Sequence, residues 1–224
     1  MGLPVVWSNA LLPALELNVR GRTTANAVFA TAYALALGGR PRWVSRRGLG
    51  VGAVAAGVVV SGYVAALAVP RVRRHLAELA DRGPDVSAAE WTAVHIPIGT
   101  VYAEELVFRA TLTPLLRERL GRPGKWLGAL TFGLVHVRPA RSAGDPVAGT
   151  VGVTALAGVV LDHLYERTGS ALAPALLHTA INAGGAALPI VARLLTPPVH
   201  SDSTPVEPPP DADTTRSGED ALLP

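Results

Sequence analysis

What most limits the folds open to this chain is a set of long segments free of Asp, Glu, Lys and Arg. Residues 48–70 form one such run of 23 residues and residues 168–192 another of 25, each closed at both ends by arginine. A helix rises 1.5 Å per residue, and about 20 apolar residues cross the hydrocarbon core of a bilayer. Both runs are therefore long enough to span. Shorter runs follow at 23–39, 146–161 and 126–137, and the stretch 91–116 joins them if its interior charges face protein rather than lipid. The expected fold is all-α, a polytopic membrane helical bundle of about six transmembrane helices. The chain divides into residues 1–87, a lead-in and two spans, residues 88–195, a four-helix membrane core, and residues 196–224, a Pro-rich acidic tail expected to be disordered.

Composition supports a bilayer setting. Hydrophobic residues make up 49% of the chain and charged residues only 17%, where a soluble domain has about a quarter charged. Small residues recur four apart at Gly48/Gly52, Ala53/Gly57, Ala148/Gly152 and Ala180/Gly184. That spacing lets helices approach closely where lipid removes the hydrophobic drive between them. The absence of cysteine excludes disulfides, thiolate metal sites and a cysteine nucleophile.

A net charge of +3 could suggest nucleic acid, but the basic residues are spread over the loops between spans, as membrane-flanking anchors are. The expected partners are membrane lipid and a membrane-tethered peptide or protein, with no nucleic acid. Assigned to alternating loops, the basic residues tie at nine on each side, so the positive-inside rule does not orient the bundle. Residues 1–19 hold no Lys or Arg ahead of an apolar run and do not resemble a cleaved signal peptide. They read as an interfacial lead-in.

Ionisable side chains at bilayer depth are expensive and mark functional sites. Three patterns of this kind occur: Glu104-Glu105 with Arg109, Phe132 with His136, and His178 with Asn182. On an α-helix Glu105 and Arg109, four apart, share a face and can neutralise each other. Glu104 lies about 100° further round, with no charge partner in the sequence. His178 sits ten residues inside the longest apolar run with Asn182 one turn on, so partners for both must come from other spans. Asp162, His163, Glu166 and Arg167 read as a solvated loop and cap. His75, His95 and His200 carry no motif, although His95 lies near enough in sequence to approach the Glu104 cavity. Ser170 reads as a helix cap, with Pro174 in the opening turns.

Taken in order, E-E-x-x-x-R, F-x-x-x-H and a late T-G-S followed by H-x-x-x-N, here Thr168-Gly169-Ser170 with His178 and Asn182, resemble the CPBP intramembrane protease family. That family includes the CAAX prenyl endopeptidases of the Rce type and bacterial relatives. The resemblance implies a multi-pass protein of a bacterial cell membrane that hydrolyses peptide bonds of membrane-associated, in some relatives prenylated, substrates. It also implies roles. Glu104 would be the general base for water, assisted by His136, with His178 and Asn182 stabilising the tetrahedral intermediate and Glu105, Arg109 and Phe132 in support. Zn²⁺ is open as a cofactor, with Glu104, His136 and His178 as the candidate ligands, although Asn182 is a poor one. A non-enzymatic scaffold or immunity protein of the same fold is the main alternative. A proton-coupled transporter using Glu104 and His178 is a further one, without an internal repeat to support it.

Overall fold

The computed structural model describes residues 2–81 and 83–196. The acidic tail and His200 lie outside the described residues. Within them the chain is helical throughout, with no strand. A lead-in helix α1 covers residues 2–14, followed by α2 (Val19–Leu37), α3 (Arg46–Ala68) and the short α4 (Pro70–Ala77). Helix α5 runs over residues 88–120 and widens into π-helical turns over Trp91–Tyr102 and Glu105–Leu112. Then come α6 (Arg122–Leu134), α7 (Val137–Ala143), α8 (Val147–Thr168) and α9 (Leu172–Leu194).

Local signals explain where these helices start and stop. Asn18 caps α2 by accepting from the Gly21 amide at 2.9 Å, and Ser45 caps α3 by accepting from Gly48 at 2.9 Å. Helix α8 stops at Gly169, whose φ of 63° is left-handed. Ser170 then turns the chain into α9. Its hydroxyl donates to the Arg42 carbonyl at 2.7 Å and accepts from the Leu172 amide at 3.2 Å, in keeping with a capping role.

Among the described residues three helices are long and apolar enough, by length and composition, to cross a membrane: α3, α8 and α9. The all-α membrane bundle is as expected, and three of the six expected spans meet that measure. The others differ for stated reasons. Helix α2 opens on Arg20 and Arg22, α6 has only 13 residues, and α5 carries Glu104, Glu105 and Arg109 inside the bundle. Helix α9 is the central element, packed against α3, α4, α5 and α8, while α6 packs on α8 and α2 on α5.

Not every small-residue pair serves packing. A methyl added at Gly52 would lie 2.9 Å from the Ala173 Cα and carbonyl oxygen, so α3 and α9 touch there nearly backbone to backbone. Gly48 meets Ser170, and Gly184 meets the Tyr63 ring. Gly57 and Gly152 face open space.

At the other side of the bundle Glu90, at the start of α5, takes a bidentate pair from Arg20 (2.7 and 3.0 Å) and a contact from His95 Nε2 at 3.0 Å. His95 is buried, with Thr23 on its other nitrogen at 2.8 Å. It ties α5 to α2 and does not approach Glu104. His75 pairs with Glu78 at 3.4 Å on the surface.

Gly52→Val should lower the stability of the detergent-solubilised protein by about 1–3 kcal/mol, since backbone cannot yield to the added carbons, while Gly57→Ala and Gly152→Ala leave it unchanged or slightly raised; thermal unfolding checks this. The Arg20 and His95 hydrogen bonds hold the Glu90 carboxyl down to about 2. A depressed acid contributes stability above its ordinary value of 4.5 and loses it as pH falls through about 2. The melting temperature should accordingly fall less steeply between pH 4.5 and 2 in Glu90→Gln than in the unsubstituted protein.

Candidate active site

The polar residues of the three motifs meet where α5, α6 and α9 pack. His178, buried on α9, stands between two consecutive carboxylates of α5. Its Nδ1–H donates to Glu105 Oε1 at 2.8 Å, and its Nε2 lies 3.7 Å from Glu104 Oε2. Glu104, which has no charge partner on its own helix by spacing, meets His178 of another helix here. It stands between two π-helical stretches, where hydrogen bonds closing at i→i+5 widen the turn. Pro97, which has no N–H to give to an i−4 carbonyl, stands in the first of these stretches.

Behind this trio lies a buried charge cluster. Glu105 and Arg109 have no exposed surface and lie 3.6 Å apart, as the four-residue spacing predicted. Arg109 also lies 3.4 Å from Asp162 Oδ1 on α8, and its Nη2 donates to the Gly158 carbonyl at 3.5 Å. Asp162 is only 3% exposed. The reading of Asp162 as part of a solvated loop is thus overturned: it sits inside α8, facing the one guanidinium of the cluster. The signal was its place directly after the charge-free run 146–161, as an acid on an apolar helix. Its neighbours do behave as surface groups. Glu166 pairs with Arg117 at 2.6 Å and Lys125 at 3.5 Å, and Arg167 reaches His163 at 3.3 Å.

Phe132 is the hub of the site. The Arg109 guanidinium carbon lies 4.1 Å over its ring, a cation–π contact. His136 and His178 both meet that ring edge-on, at centroid distances of 5.2 and 6.1 Å. The F-x-x-x-H spacing therefore places one aromatic ring between two imidazoles. His136 lies just past the end of α6, with φ −92° and ψ 2°. Its Nδ1 is 2.8 Å from the Phe132 carbonyl oxygen. A carbonyl can only accept, so Nδ1 carries the proton and Nε2 keeps its lone pair.

A cleft of roughly 710 Å³ is lined by Glu104, His136, Asn182, Thr154 and Arg138, with Ser8 and Leu12 of α1 on one wall. Three of the four expected catalytic residues share this cleft. His178 does not line it and meets Glu104 from the interior. Glu104 Oε2 is buried and makes no hydrogen bond, at the boundary between cleft and interior.

Among the described residues no three His, Asp or Glu side chains gather where a metal ion could sit. Glu104, His136 and His178, the candidate zinc ligands, are accordingly not gathered as such a set.

Residues 87–184 match the family model described as type II CAAX prenyl endopeptidase Rce1-like. That segment runs from the start of α5 into α9 and contains all three motifs. Over that segment the chain is similar to the Rce1-like family, the class that the motifs resemble. No curated protein and no solved structure matches the chain.

Arg109→Ala should destabilise the protein by about 3–5 kcal/mol, because it strands two buried carboxylates. Asp162→Ala should cost less, since Glu105 still balances Arg109, but clearly more than the roughly 0.5 kcal/mol of a surface change. Thermal denaturation in one detergent would rank the two, and an Asp162→Ala variant as stable as the unsubstituted protein would return Asp162 to the surface reading.

Proposed function

We propose that the protein is an intramembrane endopeptidase that hydrolyses membrane-tethered peptides with a water activated by Glu104. The observation that carries this reading is that Glu104, His136 and Asn182, from three different segments of the chain, face one cleft while His178 backs Glu104 from the interior. Hydrolysis needs a base near a water and donors for the oxyanion. Glu104 takes a proton from water as its oxygen bonds to the scissile carbonyl carbon. The protonated Glu104 then returns that proton to the leaving nitrogen as the C–N bond breaks.

The Nε2 lone pair of His136 suits a second acceptor that orients the same water. Asn182, an amide with two N–H donors and no charge to neutralise, suits the oxyanion. His178 is better placed to hold Glu104 than to touch substrate. It donates to Glu105, and a proton between its Nε2 and Glu104 Oε2 would fix the orientation of the catalytic carboxylate. The similarity of residues 87–184 to the type II CAAX prenyl endopeptidase model supports membrane-tethered, including prenylated, peptides as the substrate class.

A transporter reading has one observation in its favour. Glu104, His178, Glu105, Arg109 and Asp162 form a line from the Glu104 cleft to a second cleft of roughly 610 Å³, lined by Arg109, Asp162, Arg117 and Glu166 toward the other ends of α5 and α8. Proton flux into liposomes separates that reading from hydrolysis.

Protein in lipid nanodiscs should cleave a lipid-anchored peptide. Glu104→Ala and His136→Ala should each reduce kcat about 10²–10⁴-fold, and Asn182→Ala about 10²–10³-fold. His178→Ala should also abolish cleavage. Matched farnesylated and unlipidated peptides test whether a prenyl group is read. A Glu104→Ala variant of full activity would end the proposal.

A further inference from the structure

The backbone around His136 departs from a helix, and its hydrogen-bonding groups can be accounted for one by one. In an unbroken α-helix the Phe132 carbonyl would take the His136 amide, Leu134 would take Arg138, and Val135 would take residue 139. None of these bonds is made. The His136 amide goes to Gly133 at 3.1 Å, and the Phe132 carbonyl accepts instead from the His136 ring. Residue 139 is Pro139, which has no N–H, so the Val135 carbonyl is left without its partner.

The two remaining gaps are filled from α1. Ser8 Oγ donates to the Val135 carbonyl at 2.6 Å. Asn9 is inserted into the missing Leu134–Arg138 bond. Its Nδ2 donates to the Leu134 carbonyl at 3.0 Å, and its Oδ1 accepts from the Arg138 amide at 2.7 Å. The second hydrogen on Nδ2 goes to Val5 of its own helix at 2.9 Å. All three contacts agree on which end of the amide is oxygen, since two face carbonyls and one faces an N–H. Trp7 anchors the same helix, donating to Asn26 Oδ1 at 2.9 Å and stacking on Phe29 at 4.4 Å.

We infer that Asn9, supported by Ser8, is a positioning residue of the active site: its carboxamide replaces the helical hydrogen bond that spans His136 and so holds the imidazole at the cleft with Nδ1 on the Phe132 carbonyl. Both residues lie outside the segment 87–184 that matches the family, on a helix with no motif of its own. Asn9 acts through backbone and touches no reacting atom. The inference rests on the hydrolytic reading for its effect on rate, but its geometric content does not.

The test has two arms. In the first, Asn9→Ala is assayed on the lipid-anchored peptide; kcat should fall at least tenfold with KM within twofold, because substrate contacts stay in place while the His136 ring is released. In the second, the purified protein labelled with ¹⁵N-histidine is studied by NMR, His136 being assigned through His136→Gln. The unsubstituted protein should show a single Nδ1–H tautomer for His136. Asn9→Ala should show mixed tautomers there and an unchanged His178.

Should Asn9→Ala not fold, Ser8→Ala takes its place in the NMR arm, with the same tautomer change expected at smaller size. An unchanged His136 spectrum in the substituted protein overturns the inference. If the unsubstituted protein cleaves nothing, the hydrolytic reading falls, and the imidazole spectrum still decides the role of Asn9.

Discussion

The architecture depends on one buried cation. Arg109 has no exposed surface, and it is held by Glu105 on its own helix, by Asp162 and the Gly158 carbonyl on α8, and by the face of Phe132 on α6. Glu105 passes the tie on to His178 of α9. Four helices are thereby fixed around a guanidinium. In a low-dielectric interior a charge is tolerated only with its partners in place, so the cluster tolerates little displacement of any one helix. Salt bridges on the surface, such as Arg117 with Glu166, add little by comparison.

That rigidity serves the neighbouring carboxylate. Three acids, Glu104, Glu105 and Asp162, stand against one arginine and one imidazole that can be charged. Glu105 and Asp162 face Arg109 directly, whereas Glu104 has only His178 Nε2, and at a longer distance. It is the acid of the cluster that lines the Glu104–His136–Asn182 cleft, and its Oε2 makes no hydrogen bond. A group in that state has capacity left for a water, which is what a general base requires.

The main lines of this arrangement were legible in the residues. Charge-free runs located α3, α8 and α9, and polar or ionisable residues inside apolar segments singled out Glu104, Glu105, Arg109, His178 and Asn182. The four-residue spacing of Glu105 and Arg109 predicted their contact because that neighbourhood survives the π-helical distortion. What spacing could not carry was the widening of α5 into π-helical turns, since the α-helical repeat assumes its absence. Asp162 was misread for a related reason. It ends an apolar run in sequence, but the helix continues six residues further to Thr168, and burial follows from the helix and its neighbours rather than from the edge of the run.

The broken helix at His136 sets a further condition on the site. Non-helical backbone at membrane depth is viable only where its polar groups are satisfied by protein or line a cavity, and a bare break after Leu134 would leave carbonyls unpaired. Here the imidazole itself takes one carbonyl and α1 takes two more. The same hydrogen bonds that make the break tolerable therefore also fix the tautomer that leaves Nε2 free toward the cleft. The segment that carries the motifs is therefore not structurally self-contained: residues 87–184 bring Glu104, His136, His178 and Asn182, but the backbone around His136 is completed by Ser8 and Asn9.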